Sequence, residues 1–212
     1  MITCPLCGNA NSGLLPDPGL LKRYAHCPEC DLRFMLAEHH TTLEDERRRY
    51  LVHNNDVEDP RYQEFVQPLV DCVQRRSPRG ACGLDFGAGT GPVLTKLLRE
   101  AGYIIECYDP HFWPDLAPLQ QTYDFIVACE VAEHLREPGR ELKRLQQLLR
   151  PGGYLAIMTH LYEPGTDFTH WYYRRDPTHI VFYSAVTFTR LGQTFGFSKV
   201  EIRSERLVIL LA

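Results

Sequence analysis

The 212-residue sequence has no run approaching the roughly 18 apolar residues that a helical membrane span needs, so no membrane segment is expected. It opens MITCPLCG, without a basic stretch leading into an apolar one, so no secretion signal is visible and cytoplasmic residence is the default expectation. An excess of positive charge is missing too. There are 23 Lys and Arg against 27 Asp and Glu, a formal net charge of −4. That balance disfavours a strongly basic nucleic-acid binder while leaving room for a local patch. There are no internal repeats and no low-complexity segment. What is present is ordinary for a globular protein: 44% hydrophobic and 24% charged residues, enough apolar material for a core. The length suits one full domain with a small accessory module, or one large domain. The eight Cys are more than a chain of this length needs for disulfides, so metal ligation or buried thiols are the expected uses.

Three regions differ in character. Residues 1–40 hold four of the Cys, a turn-rich stretch (Gly13, Pro16, Asp17, Pro18, Gly19) and too little apolar material to fold alone. They read as a separate small unit. Residues 41–80 are rich in acids and Arg, and read as a helical connector broken near Asn54–Asn55 and near Asp59–Pro60. From residue 81 strands and helices alternate. Strands are predicted at 82–86, 103–108, 124–129 and 154–159, with helices at 92–101, 138–149 and 184–195. Pro151-Gly152-Gly153 is expected to stop the second helix. Ser184 suits an N-cap and Gly196 a C-terminal stop. Residues 197–203 and 207–211 look like a closing antiparallel pair. Such alternation predicts an α/β fold with a mostly parallel sheet covered on both faces.

Cys4-Pro-Leu-Cys7 is followed after nineteen residues by Cys27-Pro-Glu-Cys30. A two-residue gap lets one tight turn supply two thiolates, and two such turns complete the tetrahedron that zinc prefers. A loop-rich unit of 40 residues also needs a staple. Structural zinc on Cys4, Cys7, Cys27 and Cys30 is the favoured reading; redox C-x-x-C pairs or inert thiols are the alternatives. Three basic and four acidic groups in residues 1–40 give no phosphate-binding surface, so the unit is either a scaffold or a substrate gate.

The second motif is Gly83-Leu84-Asp85-Phe86-Gly87-Ala88-Gly89-Thr90-Gly91, between a predicted strand and a helix. Glycines there permit positive φ and close approach of a ligand to backbone, as adenosine-containing cofactors require. The dinucleotide pattern G-x-G-x-x-G would place its third glycine at Pro92 and fails. No Lys-Ser or Lys-Thr follows, so the phosphate-cradling loop of nucleotide hydrolases fails as well.

The remaining pattern, Asp-x-Gly-x-Gly-x-Gly, resembles class I S-adenosylmethionine-dependent methyltransferases. Other pieces fall in that family's order. Asp109 ends the second strand eighteen residues past Gly91. Cys129-Glu130-Val131-Ala132-Glu133-His134-Leu135 is similar to the block after the family's fourth strand. Leu149-Arg150-Pro151-Gly152-Gly153 and Asp176-Pro177-Thr178-His179 with Phe182-Tyr183-Ser184 resemble two later blocks. The resemblance covers about residues 81–212, and with the ribbon it extends to small bacterial zinc-ribbon methyltransferases. It implies a Rossmann-like methyltransferase sheet and S-adenosylmethionine as cofactor. The cofactor would lie on Asp85, Gly87, Ala88, Gly89 and Gly91, with its ribose on Asp109 followed by Pro110, and with Glu130 near its amino-acid end.

One departure stands out. Only fourteen residues, 110–123, separate the second predicted strand from the third, too few for the family's usual helix, strand and helix. The family's edge strand is therefore expected to be missing, together with the acid that contacts adenine. His111, Phe112 and Trp113 follow Asp109, and Phe112 is the candidate face for the purine.

Methyl transfer needs positioning more than covalent chemistry, with a base where the acceptor is oxygen or nitrogen. His179 and His134 are the candidate catalytic residues, since imidazole titrates near neutrality. Trp171, Tyr172, Tyr183 and His160 are the candidate substrate contacts, expected around a loop over the sheet's carboxyl edge. Tyr50 and residues 53–55 of the connector are candidates to close over the cofactor. A small-molecule acceptor is favoured. The alternatives are an RNA-modifying enzyme, for which Arg136, Arg140, Lys143, Arg144 and Arg150 offer a patch diluted by Glu137 and Glu141, and a non-catalytic cofactor-binding scaffold.

Overall fold

The computed structural model describes residues 1–16, 22–52 and 56–212. Asp17, Pro18 and Gly19 of the turn-rich stretch, the expected break at Asn54–Asn55 and the lid candidates at 53–55 lie outside the described residues.

The chain runs through β1 (Gly13–Leu14), β2 (Tyr24–His26), β3 (Arg33–Met35), α1 (Leu43–Leu51), α2 (Pro60–Arg76), β4 (Cys82–Phe86), α3 (Val93–Glu100) and β5 (Ile104–Tyr108). It continues through β6 (Tyr123–Cys129), α4 (Pro138–Gln147), β7 (Leu149–Met158), β8 (Val181–Phe182), α5 (Ala185–Phe195), β9 (Lys199–Ile202) and β10 (Leu207–Leu211). The main sheet has the order β5-β4-β6-β7-β10-β9. Its first four strands are parallel, and β10 runs antiparallel to both β7 and β9. This is the expected Rossmann-like α/β sheet. Residues 110–122 hold a turn and one short 3₁₀ segment, Ala117–Gln120, so among the described residues β5 is the sheet edge.

Strand alternation divides the core in two. Leu84, Phe86, Ile126, Ala128, Leu155 and Ile157 join α4, α5 and the N-terminal unit on one face. Phe125, Val127, Tyr154, Ala156 and Met158 join α2 and α3 on the other. A period of two along each strand sends successive side chains to opposite faces, and here both faces are buried.

Two elements differ from the sequence expectation. The α4 helix ends at Gln147 rather than at 149, and β7 begins at Leu149 and runs through Pro151-Gly152-Gly153 instead of starting after them. Gly152 has φ 78°, and pairing slips between Tyr123 and Phe125, so the Pro-Gly-Gly stretch irregularises a strand rather than ending a helix. The segment read as a connector contains α2, which buries Val66, Leu69, Val70, Cys72 and Val73 against the sheet. It is a layer of the domain. The break at Asp59–Pro60 is an N-cap, Asp59 accepting from Arg61 N.

The N-terminal unit does not stand apart. β8, from the far end of the chain, pairs with β3 as the fourth strand of its sheet. Tyr24 meets Phe168 edge-on with centroids 5.5 Å apart, and the Arg174 guanidinium lies 4.0 Å from the Tyr24 ring centre. Asp31, in the left-handed region at φ 60°, accepts from the Ser184 hydroxyl at 2.6 Å. Ser184 is the N-cap of α5, with a capping box to Thr187, and Gly196 closes that helix at φ 78°.

Candidate active site

A cavity of about 990 Å³ opens at the carboxyl ends of β4, β5 and β6. Gly87, Ala88, Gly89, Asp109, Pro110, Phe112 and Glu130 line it, as do His134 and His179. Gly87 has φ 79°, and a Cβ there would collide with the Val131 side chain, so only glycine keeps the loop open at this point. Asp109 ties the loop to the turn after β5. One carboxylate oxygen accepts from Gly89 N at 3.1 Å, and the other accepts from His111 N at 2.8 Å and Phe112 N at 3.1 Å. Backbone geometry thus presents glycine amides and a fixed carboxylate at one end of the cavity.

The roof comes from α1, through Leu43, Glu44, Glu46, Arg47 and Tyr50. Ion pairs hold it down: Arg49 with Asp176 and Arg136 with Glu46, each at 2.9 Å. The Tyr50 hydroxyl donates to Glu46 at 2.9 Å, and its ring meets His134 edge-on at 5.3 Å. Arg47 lies 5.7 Å from the Phe112 ring centre.

The opposite end is built by a turn after β6. Glu130 adopts φ 50°, a conformation that costs a non-glycine residue on the order of 1 kcal/mol, which only the surrounding structure can hold in place. Glu133 is fully buried. Burial and the neighbouring Glu133 charge push Glu130 up to about 8, and burial raises Glu133 as well. The Tyr173 hydroxyl lies 2.5 Å from Glu133 Oε1 and 3.2 Å from Glu130 Oε2, one hydrogen between two acids. Glu130 Oε1 and Glu133 Oε2 are buried without a hydrogen-bond partner. His134 Nδ1 lies 2.9 Å from the Thr178 carbonyl and His179 Nδ1 2.6 Å from the Tyr173 carbonyl. A carbonyl only accepts, so both imidazoles donate from Nδ1, which makes Nε2 the nitrogen that carries the lone pair when the ring is neutral. Their rings are 4.8 Å apart.

Six expected site residues fall outside this cavity. Asp85 is buried beneath the loop, where Thr95 donates to it at 2.7 Å. Gly91 begins the approach to α3 and does not line the cavity. The four substrate candidates are placed elsewhere as well. Tyr183 is wholly buried, donating to the Ala132 carbonyl at 2.9 Å and packed on Phe188. Trp171 packs against Phe182 and Phe168. Tyr172 is exposed and bonded to His160 at 2.7 Å and to Arg206 at 2.7 Å. His160 belongs to that outer group. The loop does fold back, but onto the N-terminal unit, because β8 must reach β3. Trp113 also turns away from a ligand role, its indole donating to the Gly89 carbonyl at 2.9 Å. Arg47 and Tyr173 carried no sequence signal beyond their residue types, and Glu133 stood in the block after the third predicted strand without being singled out. Their role at the site arises from packing.

In the N-terminal unit the four sulfurs of Cys4, Cys7, Cys27 and Cys30 lie within 4.8 Å of one another, with Cys4–Cys30 and Cys7–Cys27 at 3.6 Å. Disulfide sulfurs would be about 2.05 Å apart. Sulfurs bonded at about 2.3 Å to one tetrahedral ion are separated by roughly 3.8 Å. The cluster fits a metal ion.

Residues 58–202 match a family described as a methyltransferase domain, a match that begins inside α2's approach rather than at residue 81. The sequence matches none of the curated proteins it was compared with. Among solved structures it is similar to the CMeT domain of the citrinin polyketide synthase, at 18% identity and TM-score 0.51, over 81% of this chain and 57% of that one. It is similar to an O-methyltransferase family protein from Burkholderia thailandensis, at 16% and 0.53, over 78% and 61%. It is also similar to magnesium protoporphyrin IX methyltransferase from Synechocystis PCC 6803 with bound SAM, at 16% and 0.50, over 80% and 91%. The chain spans less than two thirds of the first two. At these identities the shared feature is the fold.

Proposed function

This chain belongs to the methyltransferase-domain family, and from that membership we propose that it transfers a methyl group from S-adenosylmethionine to a small-molecule acceptor. The observation carrying this reading is one continuous cavity. It joins the Gly87–Gly89 loop and Asp109 at one end to Glu130, His134 and His179 at the other. When bound, S-adenosylmethionine supplies a methyl group already activated on a sulfonium. The chain's residues then have three tasks. Gly87 and Gly89 keep side chains out of the loop, Asp109 offers carboxylate lone pairs for a ribose, and the Phe112 ring offers an apolar face for a purine. Glu130 would receive the cofactor's amino-acid end. His134 and His179 present basic nitrogens to the acceptor's nucleophilic atom. The α1 roof excludes water and favours a small acceptor over a polymer. Charge supports the same class, since Arg136 pairs with Glu46, Arg140 with Glu137 and Arg150 with Asp124, which balances three of the five basic residues of that patch. Zinc on the four Cys is part of the same proposal. It would set the N-terminal unit's shape; none of the four Cys lines this cavity.

Calorimetry tests the cofactor directly. S-adenosylmethionine or its demethylated product should bind and NAD should not, and Asp109→Ala should weaken binding by about 1–3 kcal/mol. Tight NAD binding without S-adenosylmethionine binding would overturn the reading. Methyl-labelled cofactor incubated with size-fractionated cell extract should label the small-molecule fraction, whereas label in RNA would overturn the acceptor class.

A further inference from the structure

The same turn carries a second cluster. One ligand-type atom from each of Glu133, His134 and His179 lies within 4.8 Å of the others; the two imidazoles line the cavity and Glu133 is buried. We propose that these three side chains bind a divalent transition-metal ion, separate from the four-cysteine site. Binding would draw three such atoms to about 2.0–2.2 Å from one ion.

Three independent features support the site. First, both imidazoles are oriented as metal ligands usually are. Each is anchored through Nδ1–H to a backbone carbonyl, Thr178 or Tyr173, which directs the Nε2 lone pair away from that anchor. The two anchors are neighbours of the ligands in the chain fold, so ring orientation is held by the loop itself. Second, Glu133 is completely buried, and its Oε2 has no hydrogen-bond partner. A carboxylate oxygen enclosed in this way costs several kcal/mol unless a cation or proton answers it. The other oxygen is already held by Tyr173. Third, Glu130 adds a second carboxylate beside the first, with Oε1 likewise buried and unpartnered, on a backbone held at φ 50°. Two buried acids, two oriented imidazoles and one shared phenol hydrogen make a donor set matched to a divalent ion rather than to an apolar ligand.

The donor types set the class of metal. Imidazole and carboxylate suit manganese, iron, cobalt or zinc, whereas the four thiolates near the N-terminus select zinc. Three protein ligands leave positions open, and the cavity is where they open. On the methyl-transfer reading, an acceptor oxygen would occupy one of them, and the imidazoles would act on it through the ion instead of taking its proton themselves. That last step rests on the proposed function; the metal site stands on the side chains alone.

Zinc-loaded protein, with no S-adenosylmethionine present, is dialysed to equilibrium against Co2+. The expected result is one bound cobalt per chain beyond the zinc, with a visible spectrum lacking thiolate-to-cobalt charge transfer. Glu133→Gln and His134→Ala should each weaken cobalt binding at least tenfold. Because Glu133 is buried and its variant could misfold, His179→Gln provides a second route, with retained zinc content and an unchanged melt showing that the fold is intact. No cobalt beyond the zinc equivalent in the wild-type chain, a thiolate spectrum, or uptake indifferent to all three variants would overturn the site. The cofactor calorimetry is a separate measurement. A chain that binds S-adenosylmethionine but no cobalt overturns this inference alone, and one that binds cobalt but no S-adenosylmethionine overturns only the methyl-transfer reading.

Discussion

Asp85 illustrates how a motif position and a contact position part company. Its place one residue inside the end of β4 is readable from Asp-x-Gly-x-Gly-x-Gly, yet its carboxyl points beneath the loop to Thr95 and is enclosed. Burial pushes it up to about 6, opposed by the Thr95 hydrogen bond. The folded protein therefore holds this proton more tightly than the unfolded chain. The stability it contributes is complete below about pH 4 and is lost as pH rises through about 6. Asp85→Asn should remove that slope. In denaturant melts from pH 4 to 7, the variant should gain on wild type by roughly 1–3 kcal/mol across the window. A constant difference would mean that Asp85 is ionised throughout. Asp109 behaves otherwise: its carboxylate lines the cavity because a bridge between residues 109 and 113 curls the chain around it. Nothing in the residue types separates these two acids.

At the scale of elements, the strands of the main sheet were legible because each is a short apolar run bounded by turn residues. The ends of α5 were legible because a Ser–Thr capping box and a left-handed Gly have local causes. The α2 helix was legible as helical, but its acids and Arg, which lie on the solvent side, hid that its other side is buried against the sheet. How α4 meets the N-terminal unit was not legible at all. Gly139, in its first turn, donates from N to the Pro5 carbonyl at 3.2 Å, and a Cβ there would run into the carbonyl of Leu6. No glycine-requiring φ is involved; only the close approach of the cysteine turn demands it. Gly139→Ala should thus destabilise the protein by about 1–3 kcal/mol through overpacking, although alanine ordinarily favours helix. Arg140→Ala, one residue along and exposed, should change the melt little. Equal effects from the two variants would show that the contact is loose.

For the whole molecule, the N-terminal unit and the main sheet share one buried cluster. Cys27, Cys30, Leu32 and Phe34 belong to the same core as Leu155, Phe182 and Phe188. With strands of two or three residues, the unit has little else to hold its shape, whereas structural zinc contributes on the order of 10–16 kcal/mol in small zinc modules. Elemental analysis should find one zinc per chain in the four-cysteine site, lost in Cys27→Ser. Chelation should lower the melting temperature of the entire chain in a single transition, because the face of the sheet covered by the unit would be exposed. Two separate transitions, with the sheet melting unchanged, would show that the unit is an independent module.

The sequence by itself determined the elements that depend on neighbours in the chain: the strand and helix alternation, the α5 caps, the glycine loop, the paired cysteine turns and the shortened stretch after β5. Each follows from spacing or backbone freedom over a few residues. Only the tertiary structure decided which aromatic residues face the cavity. Tyr183, Trp171 and Tyr172 share a segment with His179, but β8 is drawn to β3, and that pairing turns the first two into core and the third outward. It alone also brought Glu133 and His134 together with His179, 45 positions along the chain from His134, through two backbone carbonyls on one loop. Local propensity carries no information about such a meeting, because it is set by how two layers pack and not by the residues on either side.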